Sequence, residues 1–394
     1  MAALAPLKVA IIGGSIGGLA AANTYHRLGA TVSVFEKSST GFTGRGGSIG
    51  FCQVPLWEAV RGEPMMRRGE RASRQQGGWV YGDLWTYLFE GLPRGVVRFG
   101  RAVDTLGDDP LRPRIDGETY DLAIVADGGW SELRGLYFER TRPVYAGYQA
   151  WRFRVEASAV PGFTAYGEYG SGVMRAILLD IIADKGTDYI MGGTTVPAFE
   201  KTVQKPSNGE NRQAGASDNA ASGSGLLTDA VSAQQQKEFL ELFRSSFGQH
   251  ENGELLRAME AAASRGKITP TPQFEFGATS VIRGRIVLVG DAAHMASPRT
   301  AAGAHTALQD AYFLHEAFAE VLKLHSERGP GPGPGSPADK LVAAALAIYG
   351  PKAVTRAQAL LLRSHAVSSE VVPKEFKRAK SIYLPPTLGM REAP

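Results

Sequence analysis

The sequence of 394 residues contains a single cysteine, Cys52, and no long hydrophobic run. One cysteine excludes an intramolecular disulfide and any metal site built from several cysteines, and we expect no bound metal. The longest uninterrupted apolar stretch spans about nine residues, 341–349, whereas a membrane-spanning helix needs about 20. No lysine or arginine precedes Lys8, as the charged start of a secretory signal would require. We therefore expect a cytoplasmic protein without a membrane span.

The sequence also lacks a large excess of either positive or negative charge. The 43 Lys and Arg residues against 39 Asp and Glu residues leave a net charge of +4, and the basic residues are scattered along the chain. A nucleic-acid-binding protein usually concentrates its basic residues in one run or on one face. We therefore expect a small-molecule partner and no nucleic acid, and a homodimer stays an open alternative.

Glycine, in contrast, is abundant, and its first cluster lies in a βαβ unit. The chain has 48 glycines, where an average usage of about 7% would give roughly 28. Residues 8–12 form an apolar run typical of a buried strand, residues 19–28 read as an Ala/Leu-rich helix, and the β-branched residues 31–36 follow. This order predicts a parallel sheet with a right-handed crossover.

The turn between the first strand and the helix has the sequence GGSIGG. A dinucleotide pyrophosphate needs a tight turn, a close backbone approach and unpaired N–H groups at a helix N-terminus. Gly13, Ser15 and Gly18 occupy the three positions of the G-x-G-x-x-G fingerprint, and the serine hydroxyl can itself bond a phosphate. Glu36 closes the second strand near the spacing expected of a carboxylate that holds a ribose hydroxyl. The pattern favours nucleotide binding.

Two other interpretations of this turn compete with nucleotide binding. Residues 13–17 satisfy G-x-S-x-G, the nucleophile elbow of α/β-hydrolases, and residues 46–50 match it again. An elbow serine lies in mid-sheet after several strands, whereas Ser15 follows the first strand of the chain. For the acid and the histidine of a triad there are only generic candidates, such as Asp310 and His365. The second alternative is a glycine-rich turn that binds no ligand.

Two further strand ends carry a carboxylate. Asp127-Gly128 ends a buried strand within DLAIVADGGWSELR, residues 121–134, and Gly290-Asp291 ends another within residues 284–311. A carboxylate at the C-terminal end of a parallel strand is well placed to hold a ribose or ribityl hydroxyl. Gly303 begins a predicted helix, whose N–H groups and positive dipole end would suit a reduced, anionic flavin ring.

The three motifs together resemble the group A FAD-dependent aromatic hydroxylases, the family of para-hydroxybenzoate hydroxylase. They are GGSIGG with Glu36, DG-x-x-S-x-x-R and GDAAH-x-x-x-P. The segments YAGYQAWR, residues 145–152, and TAAG, residues 300–303, are most similar to the 2,6-dihydroxypyridine 3-monooxygenase branch. The resemblance covers residues 8 to about 315. The chain departs from the family where Leu-Tyr-Arg reads LWT, at residues 84–86.

The resemblance implies a bound FAD, with its pyrophosphate on the first turn and its adenosine ribose on Glu36. The implied cofactor-binding residues are Gly13, Ser15, Ile16, Gly18, Glu36, Lys37, Arg45, Asp127, Arg134, Asp291, Ala302 and Gly303. The proposed substrate-pocket residues are Arg152, Pro298 and His305. The sequence does not nominate a catalytic residue.

The reaction that the resemblance implies uses NAD(P)H as co-substrate and O2. A C4a-hydroperoxyflavin would hydroxylate an electron-rich aromatic or heteroaromatic substrate, such as a phenol or a hydroxypyridine. Two alternatives stay open. One is a flavoprotein oxidoreductase on the same scaffold that inserts no oxygen, and the other is a degenerate FAD-fold binding protein.

The predicted fold class is α/β, with a discontinuous Rossmann-like FAD-binding domain, an inserted, mostly antiparallel β-sheet substrate domain, and C-terminal helices. The predicted boundaries are 1–142 and 268–327 for the FAD-binding domain, 143–267 for the substrate domain with a low-complexity loop at 205–225, 328–339 for a Gly/Pro linker, and 340–394 for the C-terminal helical segment. Helices are predicted at 232–247, 254–263, 340–349 and 352–369.

Overall fold

A computed structural model describes most of the chain in twelve ranges. These are residues 7–42, 48–49, 54–63, 79–138, 142–162, 167–171, 174–184, 187–197, 233–247, 253–265, 268–328 and 335–372. Arg45, the low-complexity loop at 205–225, the middle of the Gly/Pro linker and residues 373–394 lie outside the described residues.

Sixteen β-strands and eight α-helices run through the described ranges. The strands are β1 (Lys8–Ile12), β2 (Thr31–Glu36), β3 (Ser48–Ile49), β4 (Trp79–Val80), β5 (Val97–Phe99), β6 (Arg114–Ile115), β7 (Glu118–Thr119), β8 (Leu122–Val125), β9 (Val144–Glu156), β10 (Gly167–Ser171), β11 (Met174–Asp184), β12 (Thr187–Pro197), β13 (Ile268–Gly277), β14 (Ile282–Arg283), β15 (Ile286–Leu288) and β16 (His294–Met295). The helices are α1 (Ile16–Arg27), α2 (Val54–Arg61), α3 (Tyr81–Phe89), α4 (Glu132–Tyr137), α5 (Ala233–Phe247), α6 (Gly253–Ser264), α7 (Gly303–Arg328) and α8 (Pro337–Ser369).

The first sheet has the strand order β14-β15-β8-β1-β2-β5. Its strands are parallel except for β14, which pairs antiparallel with β15. All four residues of β8 and the last four of β1 are buried, as expected for central strands that are covered on both faces. The predicted βαβ unit is confirmed by β1, α1 and β2, with both strands at their predicted bounds.

The second sheet is antiparallel, in the order β10-β11-β12-β9-β13-β16. The predicted antiparallel β-sheet and the mixed α/β fold class are therefore confirmed. Helices α5 and α6 cover this sheet, and Trp151 of β9 stacks on Phe239 of α5 with ring centroids 4.2 Å apart.

The chain order within the second sheet differs from the predicted domain boundary. That boundary places residues 268 onward in the FAD-binding domain, whereas β13 pairs with β9 along most of its length. The chain therefore adds β13 to the second sheet before it returns to the first one at β14, and the short strand β16 joins the second sheet after β15. The pairing depends on contacts between distant segments, which local sequence patterns do not encode.

The C-terminal segment also differs from its prediction. The two helices predicted at 340–349 and 352–369 form one helix, α8, which continues through Pro351. A proline inside a helix lacks one N–H donor and usually ends or kinks the helix. Here α8 packs along α7 and against β13, and this packing keeps the helix continuous. No helix in the described ranges is long and apolar enough to cross a membrane.

We predict that Pro351→Ala raises the free energy of unfolding by about 1–3 kcal/mol, because alanine restores a helical hydrogen bond at an exposed position. Denaturant unfolding of both proteins measures the change, with the exposed neighbour Lys352→Ala as the matched control. A lower stability would contradict the prediction. It would mean that the proline sets the course of α8 at Gly350. The helix lies close to β14 there, since an added Cβ on Gly350 would lie 2.7 Å from Ile282 Cδ1.

Candidate cofactor-binding site

The glycine-rich turn after β1 lies so close to neighbouring backbone that two of its positions have no room for a side chain. Gly13 has φ +107°, and a Cβ built on it would clash with the carbonyl oxygen of Ala126. A Cβ on Gly18 would clash with the carbonyl oxygen of Gly13. The fold therefore requires glycine at both fingerprint positions, and the turn has the close backbone approach that a dinucleotide site needs.

The N-terminus of α1 follows this turn. Ser15 is the N-cap residue, yet its side chain makes no capping hydrogen bond to the helix. Its hydroxyl is instead hydrogen-bonded to the hydroxyl of Tyr81, at the start of α3. The Ile16 N–H bonds to the same Tyr81 hydroxyl, and the N–H groups that follow it in the first turn of α1 receive no acceptor from the cap side chain. Such N–H groups, together with the positive end of the helix dipole, form a ready anion site.

Glu36, at the end of β2, lies beside the same turn and is 4% exposed. One carboxylate oxygen, Oε2, accepts a hydrogen bond of 2.7 Å from the Gly14 N–H, and Oε1 accepts one of 2.7 Å from the Ser38 N–H. A carboxylate can accept about four hydrogen bonds. Glu36 thus holds the turn in place and keeps acceptor capacity for a ribose hydroxyl.

Asp127 follows β8, the strand beside β1, and provides the test of whether a cofactor fits here. Its Oδ1 atom is buried and has no hydrogen-bond partner within the described part of the chain. Burial raises the pKa of Asp127, although the Ser131 hydroxyl and the Arg134 charge oppose the change. A buried carboxylate oxygen without a donor is costly. Ligand hydroxyl or amide groups at this edge would satisfy it, so this residue fits the implied cofactor.

Arg134 joins the second motif to the third. It is 3% exposed, and its guanidinium lies 4.1 Å from the centroid of the Phe276 ring. Its two terminal nitrogens donate to the carbonyl oxygens of Gly129, at 2.7 Å, and Ala292, at 2.9 Å. The contacts of this predicted cofactor-binding residue are thus with protein, and they hold the Asp127-Gly128 and Gly290-Asp291 turns together.

The Gly290-Asp291 turn follows β15, and a buried carboxylate accepts a hydrogen bond from its main chain. Asp310 of α7 accepts hydrogen bonds from the Gly290 N–H at 3.0 Å, from His294 Nε2 at 2.7 Å and from Arg356 at 3.0 Å. Asp291 itself is solvent-accessible, yet surrounding protein raises its pKa. Asp291 thus lies at the carboxyl end of β15, where a carboxylate that holds a ribityl hydroxyl is expected.

The N-terminus of α7 forms the next part of the site. A short 3-10 turn, Pro298–Thr300, leads into Ala301, whose φ of +50° is left-handed, and α7 begins at Gly303 as predicted. The carbonyl of Ala302 accepts the Thr306 N–H at 2.8 Å. The preceding N–H groups of this helix therefore offer a second positive helix end at the same edge of the sheet.

The proposed substrate-pocket residues lie on two facing elements. The buried Tyr148 of β9 is hydrogen-bonded through its hydroxyl to Ser297, directly before Pro298. Arg152 shares this face of β9, because side chains alternate along a strand, and it is exposed. His305 lies in the first turn of α7, with Nδ1 buried and unpartnered among the described residues, and burial lowers its pKa.

The structure thus brings most of the predicted site residues to the carboxyl ends of β1, β2, β8 and β15. Lys37 is exposed beside Glu36, and Arg45 lies outside the described residues. Sequence reasoning missed Tyr81 and Trp85 of α3, which contact the first turn. The local signals were the aromatic residues between Tyr81 and Phe89 and the LWT segment, residues 84–86. No group of three or more His, Cys, Asp or Glu side chains in the described ranges is arranged to hold a metal ion.

We predict that Arg134→Met lowers the free energy of unfolding by about 3 kcal/mol, because two buried carbonyl oxygens lose a charged donor. The control is Arg98→Met. Arg98 also lies over an aromatic ring, that of Phe35 at 5.2 Å, but it is exposed, and its loss should cost less than about 1 kcal/mol. Equal losses in denaturant unfolding would contradict the bridging role of Arg134.

Comparisons with known proteins show what the chain as a whole is similar to. Residues 252–329 match the family model described as FAD binding domain. A dual trans-enoyl reductase/FAD-dependent monooxygenase of Aspergillus terreus is 28% identical over 360 residues, or 80% of this chain, and the match spans about half of that protein, 48%. A salicylate hydroxylase of Pseudomonas putida is 28% identical over 368 residues, which are 78% of this chain and 75% of that protein.

The solved structure of 2,6-dihydroxypyridine-3-hydroxylase from Arthrobacter nicotinovorans has the same fold. The TM-score is 0.68 at 20% identity, with 93% of this chain and 92% of that chain covered. The fold and the sequence relatives confirm the predicted resemblance. Over most of its length the chain is thus similar, in sequence and in fold, to the FAD-dependent aromatic hydroxylases of group A.

Proposed function

We propose that the chain is a monooxygenase that uses NAD(P)H and O2 to hydroxylate a small, electron-rich aromatic or heteroaromatic substrate. The observation that carries the proposal is the convergence of Glu36, Asp127 and Asp291 at one edge of one sheet. Glu36 ends β2, Asp127 follows β8 and Asp291 follows β15, and these strands lie parallel in the same sheet. Two helix N-termini, those of α1 and α7, belong to the turns at this edge.

The residues present fit FAD, and each part of the site has a distinct role. The α1 N-terminus with Ser15 would hold the pyrophosphate, and Glu36 would hold the adenosine ribose. Asp291 would hold the ribityl chain, and Asp127 would accept hydrogen bonds from the cofactor at its unpartnered Oδ1. When bound, FAD supplies the redox chemistry, in which electrons from NAD(P)H activate O2.

The N-terminus of α7 would favour negative charge on the electron-rich end of the cofactor. The Ala302 N–H donates to the Thr300 hydroxyl at 3.2 Å, so the N–H groups from Gly303 onward, which follow the Pro298–Thr300 turn, would face the cofactor. Fixed dipoles of this kind stabilise developing charge without reorganising at the moment of reaction. The left-handed backbone conformation of Ala301 sets the direction in which the chain enters α7.

The substrate would lie between the face of β9 that carries Arg152 and the turn at Pro298. Arg152 would bind a phenolate or carboxylate group, and the buried Tyr148–Ser297 hydrogen bond joins the two sides of this pocket. His305 has a lowered pKa, so its neutral imidazole would offer one donor and one acceptor. The names of the relatives, salicylate hydroxylase and 2,6-dihydroxypyridine-3-hydroxylase, support a hydroxylated ring as the substrate class.

The test follows oxygen from O2 into product. The purified chain, loaded with FAD, is given NADH or NADPH, 18O2 and a panel of hydroxybenzoates, phenols and hydroxypyridines. Labelled hydroxylated product supports the proposal. NAD(P)H oxidation that yields only hydrogen peroxide across the panel would favour an oxidoreductase without oxygen insertion. A chain that binds no FAD would favour a degenerate binding protein. Cell fractionation tests the expected cytoplasmic location. Light scattering tests whether the chain forms the homodimer that the sequence leaves open.

We predict that Arg152→Gln raises KM for an anionic aromatic substrate roughly tenfold, with a smaller change in kcat, because one charge-assisted hydrogen bond is lost. Arg154→Gln, two residues along the same face of β9, is the matched control and should leave KM within about twofold. FAD affinity should not change in either variant. An unchanged KM in Arg152→Gln would remove Arg152 from the pocket.

A further inference from the structure

Helix α3 lies across the glycine-rich turn and presents two aromatic side chains to it. Trp85 is 3% exposed, and its indole N–H donates to the carbonyl oxygen of Gly14 at 2.7 Å. The Tyr81 hydroxyl, one helical turn earlier, is hydrogen-bonded to Ser15 Oγ. Phe42 packs against both rings, with centroids 6.3 Å from Tyr81 and 5.8 Å from Trp85. The Tyr81 hydroxyl is therefore fixed in position by the surrounding packing.

The electrostatic surroundings of Tyr81 locate its hydroxyl within the site. Burial raises its pKa to about 12, and the carboxylates of Asp291 and Glu36 add to this, while hydrogen bonds from Ser15 and from the Ile16 N–H act in the opposite direction. The hydroxyl thus lies at the first N–H group of α1, within electrostatic reach of the carboxylates that follow two strands of the sheet. It stays protonated at physiological pH and has one proton to donate.

A pyrophosphate at the α1 N-terminus adds negative charge near two carboxylates and needs compensating donors. The guanidinium of Arg134 is already bonded to two backbone carbonyls, and Lys37 is exposed. Neutral hydroxyl donors can supplement the helix N–H groups without adding a buried charge. Ser15 and Tyr81 place two such hydroxyls side by side at the helix end.

We propose that Tyr81 is a ligand of the FAD pyrophosphate: its hydroxyl accepts a hydrogen bond from Ser15 and donates its own proton to a phosphoryl oxygen at the N-terminus of α1. Trp85 acts as a positioning residue, because its bond to Gly14 anchors α3 on the turn. This inference rests on the FAD binding in the proposed function but does not depend on oxygen insertion.

The test compares Tyr81→Phe with wild type by fluorescence titration of the flavin-free full chain with FAD. We expect about tenfold weaker binding, the loss of roughly one hydrogen bond to a charged group. Tyr87→Phe is the matched control, because Tyr87 lies on the same helix but donates to the Glu63 carbonyl at 2.8 Å, away from the turn. This control should bind FAD as wild type does.

Two further ligands show which phosphates Tyr81 contacts. ADP carries a pyrophosphate without a flavin, so ADP should also bind about tenfold more weakly to Tyr81→Phe. NADH binding to the FAD-loaded protein should not change. A loss confined to FAD would place the hydroxyl at the flavin end, and a loss confined to NADH would place it at the co-substrate. Either result overturns the assignment.

Unchanged or tighter FAD binding by Tyr81→Phe would also overturn it, and tighter binding would mean that the hydroxyl obstructs the site. Thermal unfolding without ligand checks that the variant folds. If Tyr81→Phe does not fold, Ser15→Ala replaces it, with the same loss expected for FAD and ADP, and no loss would overturn the inference. Wild type that binds no FAD would instead overturn the proposed function itself.

Discussion

The site depends on one constraint, the direct contact between main-chain atoms of the first turn and main-chain atoms at the end of β8. Gly13 lies against the carbonyl of Ala126, and Gly18 lies against Gly13, with no room for a Cβ at either place. This approach brings the start of α1 next to Asp127 and allows Glu36 to reach the Gly14 N–H. The cofactor cleft exists because side chains are absent at the two positions where they would separate these elements.

Two buried charged side chains, those of Arg134 and Asp310, position the Asp127-Gly128 and Gly290-Asp291 turns by hydrogen bonds to main-chain atoms. Arg134 binds two carbonyl oxygens that belong to different motifs, and Asp310 binds the Gly290 N–H together with His294 and Arg356. Both charged groups make these hydrogen bonds to protein atoms, which offset the cost of burying a charge. The ligand-binding edge is thus left with the groups that are not satisfied, above all the Oδ1 atom of Asp127.

The sequence predicted the parts of this arrangement that are encoded locally. The continuous apolar runs identified β1 and β2 at their bounds, and the strand–glycine–helix order located the first turn and the start of α7 at Gly303. Contacts between distant segments escaped prediction. The pairing of β13 with β9, the passage of α8 through Pro351, and the hydroxyl of Tyr81 at Ser15 each depend on tertiary packing. A local pattern has no signal for such contacts.

The return of the chain to the first sheet at β15 has a consequence for how the protein is made. Ile286 pairs with Ala123, so roughly 160 residues separate two neighbouring strands of the cofactor-binding sheet. At a synthesis rate of about 5–20 residues per second, β8 waits on the order of ten seconds or more for this partner. Such distant pairing slows folding. During that interval the β8 edge that pairs with β15 has no partner, and a site that includes the α7 N-terminus is complete only after α7 has been synthesised.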